Sequence, residues 1–121
     1  MARPNLLDPA SEGRLARARF SAAFMSDTKW RKALRAISQA YLGIREMLVK
    51  FIDVDEPRRM CFPPSLACPL AYMDTIEFGP TELRSIEWLE VAADVDEVLR
   101  PLGQFPVTSV DGRSRIAGYG N

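Results

Sequence analysis

Groups able to do acid–base or nucleophilic chemistry are few in this chain. There is no histidine among the 121 residues, which removes Ser–His and Cys–His triads, imidazole bases and the commonest zinc and iron ligand sets. Carboxylates are then the main acid–base groups, and the tightest cluster is Asp53, Asp55 and Glu56, at the end of an apolar run rich in β-formers. Alternation along a strand puts Asp53 and Asp55 on one side, where paired carboxylates can share a proton or hold a divalent cation. A metal loop adds glycine and further oxygen ligands at regular spacing, and none follow here. Solvated strand-end acids are the plainer reading, and a small carboxylate-dependent enzyme using Asp53 and Asp55 the sharper one. Cys61 and Cys68 have six residues between them, a spacing that is neither a redox pair nor a four-ligand zinc signature. Both read as thiols of a reducing compartment. To act as a nucleophile, Cys68 would need Arg58 and Arg59 or a helix N-terminus to become a thiolate. The glycines at 112, 118 and 120 belong to a hairpin and tail and not to a phosphate-binding turn. No catalytic residue, metal site or cofactor is assigned.

Charge offers more. Lys and Arg balance Asp and Glu at sixteen each, but residues 1 to 50 carry a net +6 and residues 51 to 121 a net −6. From Asp74 to Glu97 eight carboxylates face Arg84 alone. Such polarity steers a partner, or lets two halves of one molecule face each other. The leading expectation is therefore a non-enzymatic protein-binding module, of the inhibitor or immunity type, that meets a basic partner through Glu77, Glu82, Glu87, Glu90, Asp94 and Asp96. The second is a nucleic-acid-binding protein that uses Arg14, Arg17, Arg19, Lys29, Lys32 and Arg35.

These groups need elements to position them. Residues 1 to 25 form a basic arm broken by Pro4 and Pro9, expected to be separate from a single domain over 26 to 121. Ser26 or Asp27 caps a helix whose Trp30, Ala33, Leu34, Ile37 and Tyr41 share one face. Lys29, Lys32 and Arg35 lie opposite, with Arg31 at the border. After Gly43, the segment Ile44 to Asp53 reads as a strand. Four prolines make Asp55 to Leu70 irregular, a long loop in which Arg58, Arg59 and Phe62 are binding candidates; Phe62 and Leu66 packed over the sheet are the plainer alternative. Tyr72 to Phe78 reads as a strand ended by Gly79-Pro80, and Leu83 to Val91 as another, with Ile86 and Trp88 on one side and Leu89 and Val91 on the other. Asp94 and Glu97 suggest a capping box on a short helix ended by Gly103. Phe105 to Val110, the turn Asp111-Gly112, and Arg113 to Tyr119 form a hairpin with Val107 opposite Ile116 and Arg115 facing outward.

The sum is an α+β domain, an antiparallel or mixed sheet of about five strands covered by one main helix and one short helix. Trp30, Leu34, Ile37, Ile44, Leu48, Ile52, Trp88, Leu89, Leu99, Val107 and Ile116 are the expected core. No apolar run reaches the length of a membrane helix and no secretory h-region assembles, so a cytoplasmic location is expected, with another protein as partner. The stretches DTKWRKAL (27 to 34), IDVDEP (52 to 57), PPSLACP (63 to 69), IEWLEV (86 to 91) and GQFPV (103 to 107) resemble those of a small bacterial family known only as a domain of unknown function. The resemblance spans about Met25 to Tyr119. It implies a bacterial cytoplasmic protein, supports a strand after Gly43, makes residues 1 to 24 dispensable, and brings no site residues with it.

Overall fold

The computed structural model describes residues 20–121. In chain order the elements are β1 (Ala22–Ala23), α1 (Asp27–Ala40), β2 (Glu46–Phe51), β3 (Arg58–Cys61), β4 (Tyr72–Thr75), β5 (Gly79–Glu82), β6 (Ile86–Val91), α2 (Asp96–Leu99), β7 (Val107–Val110), β8 (Arg113–Ala117) and β9 (Tyr119–Gly120). Short 3-10 turns at Leu83–Ser85 and Arg100–Leu102 precede β6 and follow α2. The main sheet runs β3-β2-β6-β8-β7, every neighbouring pair antiparallel. The molecule is thus the α+β domain that the pattern implies.

The main helix starts where Ser26 Oγ accepts the Lys29 amide at 3.1 Å, relieving one of the four donors left open at a helix start. Its Trp30, Ala33, Leu34 and Ile37 are buried in one core with Met47, Val49, Phe51, Leu89, Val91 and Ile116. The sheet therefore has an inner face under α1 and an outer one. Arg31, at the edge of the helix, donates to the carbonyls of Tyr72 (3.0 Å), Pro69 (3.5 Å) and Leu66 and so ties the proline-rich connection to the helix.

Several expectations are corrected. The segment Asp55 to Leu70 is not one loop: between Pro57 and Pro63 the run Arg58–Cys61 has room for four paired residues and forms the sheet edge beside β2, and edges tolerate flanking proline. Arg58 and Arg59 therefore sit on a strand, and Phe62 is buried, at 6% exposure, in the core. Gly79-Pro80 does not end a strand but begins the second arm of a hairpin, β4–β5, with Gly79 at φ +70°. The Asp94–Glu97 capping box does not form. Val95 occupies the cap, and Asp94 Oδ1 instead accepts the Asp96 amide at 3.3 Å. The last strand stops at Ala117, and Tyr119–Gly120 pairs with Ala22–Ala23. That pairing docks the end of the basic arm, with Phe20 stacked on Tyr119 at 5.3 Å.

The most consequential correction concerns β6. Opposite β2, Lys50 pairs with Trp88 but Phe51 pairs with Ile86, so Glu87 is an extra residue in a β-bulge. The bulge puts Ile86 on the same side as Leu89 and Val91, all at 0% exposure, and Trp88 on the other. Trp88 and Leu48, both expected in the core, are half-buried on the outer face. Gly118 makes the bulge possible. Its amide donates to the Glu87 carbonyl at 2.7 Å, and a Cβ there would lie 2.3 Å from the Ile86 carbonyl oxygen.

Gly118→Ala is accordingly expected to cost about 1–3 kcal/mol, as over-packing against backbone does. Gly43→Ala, with nothing within 4 Å of the new methyl and no left-handed φ to preserve, should gain about 0.4–1 kcal/mol from a less flexible unfolded chain. Urea denaturation of the two variants checks both signs, and a neutral Gly118→Ala would contradict the close pass at Ile86.

Candidate binding surface

Register fixes what the outer sheet face displays. One row across it runs Arg59, Leu48, Glu90, Arg115, Thr108. A second row holds Lys50, Trp88 and Ala117. A third has the pair Cys61–Glu46 at one end and Arg113–Val110 at the other, and between them β6 has already ended, leaving only Ala92. Arg59, Arg113, Arg115, Thr108 and Val110 are exposed, and no described helix lies over them.

The charges here are arranged in pairs. Glu90, its side chain only 16% exposed, takes Arg113 Nε on Oε1 at 2.8 Å and both Arg115 Nε and Nη2 on Oε2 at 3.1 and 3.0 Å. The Arg113 hydrogen bond is the main cause that holds the Glu90 carboxyl below its usual range; burial opposes this, and Arg115 adds to the lowering. Arg115 also lies 3.7 Å above the Trp88 ring, a cation–π contact on an aromatic floor. Lys50 donates to Glu87 at 3.2 Å with both side chains largely shielded. Arg59 meets Glu46 at 3.2 Å, both well exposed.

At the Ala92 end of the face two hollows share Glu46 and Ala92 as a common wall. One, about 330 Å³, is lined by Leu48, Arg59, Glu90 and Arg113. The other, about 590 Å³ and mainly apolar, is lined by Tyr41, Gly43, Ile44, Arg45 and Ala93. The shared wall is held from behind. Buried Ser114 Oγ accepts the Val95 amide at 3.0 Å and donates to the Ala93 carbonyl at 2.7 Å. Tyr41 Oη donates to the Asp94 carbonyl at 2.7 Å. The end of α1, the start of β2 and the turn after β6 are thereby fixed against one another.

The six acids of the leading expectation do not form one surface. Glu82 is 2% exposed and faces Tyr72, whose hydroxyl is pushed up chiefly by its hydrogen bond to Glu82. Glu77 accepts the Cys61 amide at 2.9 Å. Burial presses the Glu77 carboxyl upward, but hydrogen bonds from Cys61 and from its own backbone outweigh that and lower it, and in return Glu77 raises the Cys61 thiol. Glu87 and Glu90 are held by cations of the sheet, Asp94 by Ser109 and the Asp96 amide, and Asp96 by Arg100. Of the cationic set, Arg14, Arg17 and Arg19 lie outside the described residues. Lys29 sits 5.2 Å over the Phe105 ring, while Lys32 and Arg35 are exposed and form no ion pair among the described residues. Arg58, Arg59 and Phe62 separate: only Arg59 reaches the hollow. Asp53 lies in the turn after Phe51 and Asp55 in an exposed bend, so strand alternation does not bring them to one side. Among the described residues no three Cys, Asp or Glu side chains are grouped to hold a metal ion. Trp88, Glu46, Arg113 and Tyr41 were not singled out for binding by their sequence context. The one available signal was the Arg113, Arg115 alternation on an outward strand face.

Because folding lowers the Glu90 carboxyl, the stability it contributes is present above its unfolded pKa and is lost as pH falls through the lower folded value. Glu90→Gln is expected to cost about 1–2 kcal/mol at pH 7, discounted for half-exposed arginines, and the gap from the unsubstituted chain should close below the ordinary carboxylate range. Thermal melts of both proteins between neutral and acid pH measure it, and a gap that persists undiminished in acid would show that charge is not its source. No family model matches the chain, and no curated protein or solved structure matches it either.

Proposed function

We propose that this chain is a non-enzymatic protein-binding module that meets its partner through the outer face of the main sheet. The observation that carries the reading is the Trp88–Arg115 stack at the centre of a face also bearing Arg59 and Arg113. Trp and Arg are the residue types that dominate binding energy when a partner excludes water from them. A five-stranded scaffold keeps them in fixed positions, so little order has to be imposed on contact. The face mixes apolar groups (Leu48, Trp88, Val110, Ala117) with paired charges, as the core and rim of protein interfaces do. The form of this reading in which a run of acids imitates nucleic acid is not retained, since each of the six carboxylates has a partner within the chain or is buried, and they are spread over the β4–β5 hairpin, the sheet and α2.

A tagged full-length chain and two variants test it by capture from an extract of the source cells. Trp88→Ala should lose the captured protein by about tenfold or more, the scale of a hot-spot truncation. Lys32→Glu with Arg35→Glu should retain it, and equal melting temperatures confirm that each variant is folded. Retention by Trp88→Ala, loss through the helix pair, or a nuclease-sensitive ligand on the unsubstituted chain would each overturn the reading, the last two in favour of nucleic acid bound along α1.

A further inference from the structure

We infer that the two hollows meeting at Glu46 and Ala92 form a groove for an acidic segment of the partner protein, which seats an apolar side chain against Tyr41, Ile44 and Ala93 and a carboxylate two residues along between Arg59 and Arg113. The inference rests on the chain being a protein-binding module and names what that module reads.

Unused donors are the first support. A guanidinium carries five N–H donors. Arg113 gives Glu90 only its Nε–H, and its two terminal nitrogens find no acceptor among the described residues. Arg59 gives Glu46 only Nη1. Both therefore have free forks of the shape that receives a carboxylate with two parallel hydrogen bonds.

The existing ion pairs do not block such a guest. The Arg59–Glu46 contact is between side chains 74% and 62% exposed, and a pair so hydrated is easily exchanged for another. If Arg113 turns toward a ligand, Glu90 keeps its two donors from Arg115, so no buried carboxylate is stranded. Glu90 thus holds Arg115 and leaves Arg113 with capacity to spare.

Charge then selects the occupant. Arg45, Arg59 and Arg113 line the groove against Glu46 and Glu90, and Glu90 is already matched by Arg115. Arg45 is exposed and makes no ion pair among the described residues. The surplus is positive. The chain's own first nineteen residues hold four arginines against two acids, so they carry the wrong sign to fill it. An extended peptide places successive side chains on opposite sides and alternate ones on one side about 7 Å apart, a reach suited to one apolar and one acidic group, two residues apart, on either side of Ala92.

The test uses isotope-labelled full-length protein and a blocked tetrapeptide, acetyl-Leu-Leu-Glu-Glu-amide, whose extended form carries one leucine and one glutamate on each side, with acetyl-Leu-Leu-Gln-Gln-amide as control. Titration followed by amide and Arg Nε–H resonances should move Ile44, Arg45, Ala92, Ala93 and the Arg59 and Arg113 side chains. The glutamate peptide should bind about tenfold more tightly than the glutamine one at low salt, the worth of one charge-assisted pair, and Arg59→Ala with Arg113→Ala should abolish the difference. Equal binding of both peptides, no shift at these residues, or a preference that survives the double variant would overturn the groove. Trp88→Ala separates the two levels: capture lost through Trp88 but indifferent to Arg59 and Arg113 leaves the protein-binding reading standing and removes only the groove.

Discussion

A single extra residue in β6 decides which side chains this molecule hides and which it shows. Side chains alternate with a period of two, so a one-residue slip exchanges the faces of everything beyond it. With Glu87 bulged out between Ile86 and Trp88, the three aliphatic residues Ile86, Leu89 and Val91 share the core, and Trp88 and Glu90 share the outer face. The bulge survives because Gly118 has no Cβ to strike the Ile86 carbonyl and because its amide satisfies Glu87. Glu87 and Gly118, thirty-one positions apart, are therefore one device. Everything proposed about binding follows from where that device puts Trp88.

Charge segregation along the chain turns into charge pairing in space. The acidic stretch from Asp74 to Glu97 finds cations that lie before it, such as Lys50 with Glu87, and after it, such as Arg100 with Asp96 and Arg113 and Arg115 with Glu90. An antiparallel sheet does this naturally, since residues remote in sequence become cross-strand neighbours. Glu90 shows why a count of charges misleads: it neither faces solvent freely nor awaits a basic partner, but orients two arginines. The outward chemistry of this region is thus set by guanidinium groups that carboxylates hold in place, the reverse of what an acidic run suggests by itself.

Legibility from sequence followed the locality of the cause. The α1 helix is readable from Ser26 at its cap and from the Trp30, Leu34, Ile37 spacing, and the last hairpin from Asp111-Gly112, which supplies two positive φ angles in the turn. Both signals are contained within a few residues. Strand β3 was hidden because prolines on either side suggested loop, although an edge strand needs only one partner and here has β2. The β4–β5 hairpin was hidden because Gly79-Pro80 resembles a terminator, while its Thr75, Thr81 and Gly79 contacts make it a turn. The burial of Phe62 follows from the β2–β3 pairing and that of Glu82 from the β4–β5 hairpin, neither of which was legible, and the exchange of Trp88 depends on a bulge that leaves no mark in composition. Of the surface residues, Arg115 was placed outward by the register of the last hairpin, whereas Arg113, Glu46 and Tyr41 acquire meaning only when α1, β2, β8 and the turn after β6 meet.

That meeting point explains why the hollows lie where they do. A sheet face is flat while every strand continues across it, and a depression opens where one strand stops before its neighbours. Strand β6 ends at Val91, and the chain then turns away into α2 under the control of Ser114, which binds both Ala93 and Val95 from the buried side. Ala92 is left as the floor between Glu46 on one neighbour and Arg113 on the other. Arg113, on β8, stands level with this gap, Arg59 reaches it from the row of Leu48 and Glu90, and the apolar end of α1 closes its far side with Tyr41 anchored on Asp94. Shape and charge at this end of the molecule thus meet at one place: the early end of the central strand, held from behind by Ser114, between the Glu46 of β2 and the Arg113 of β8.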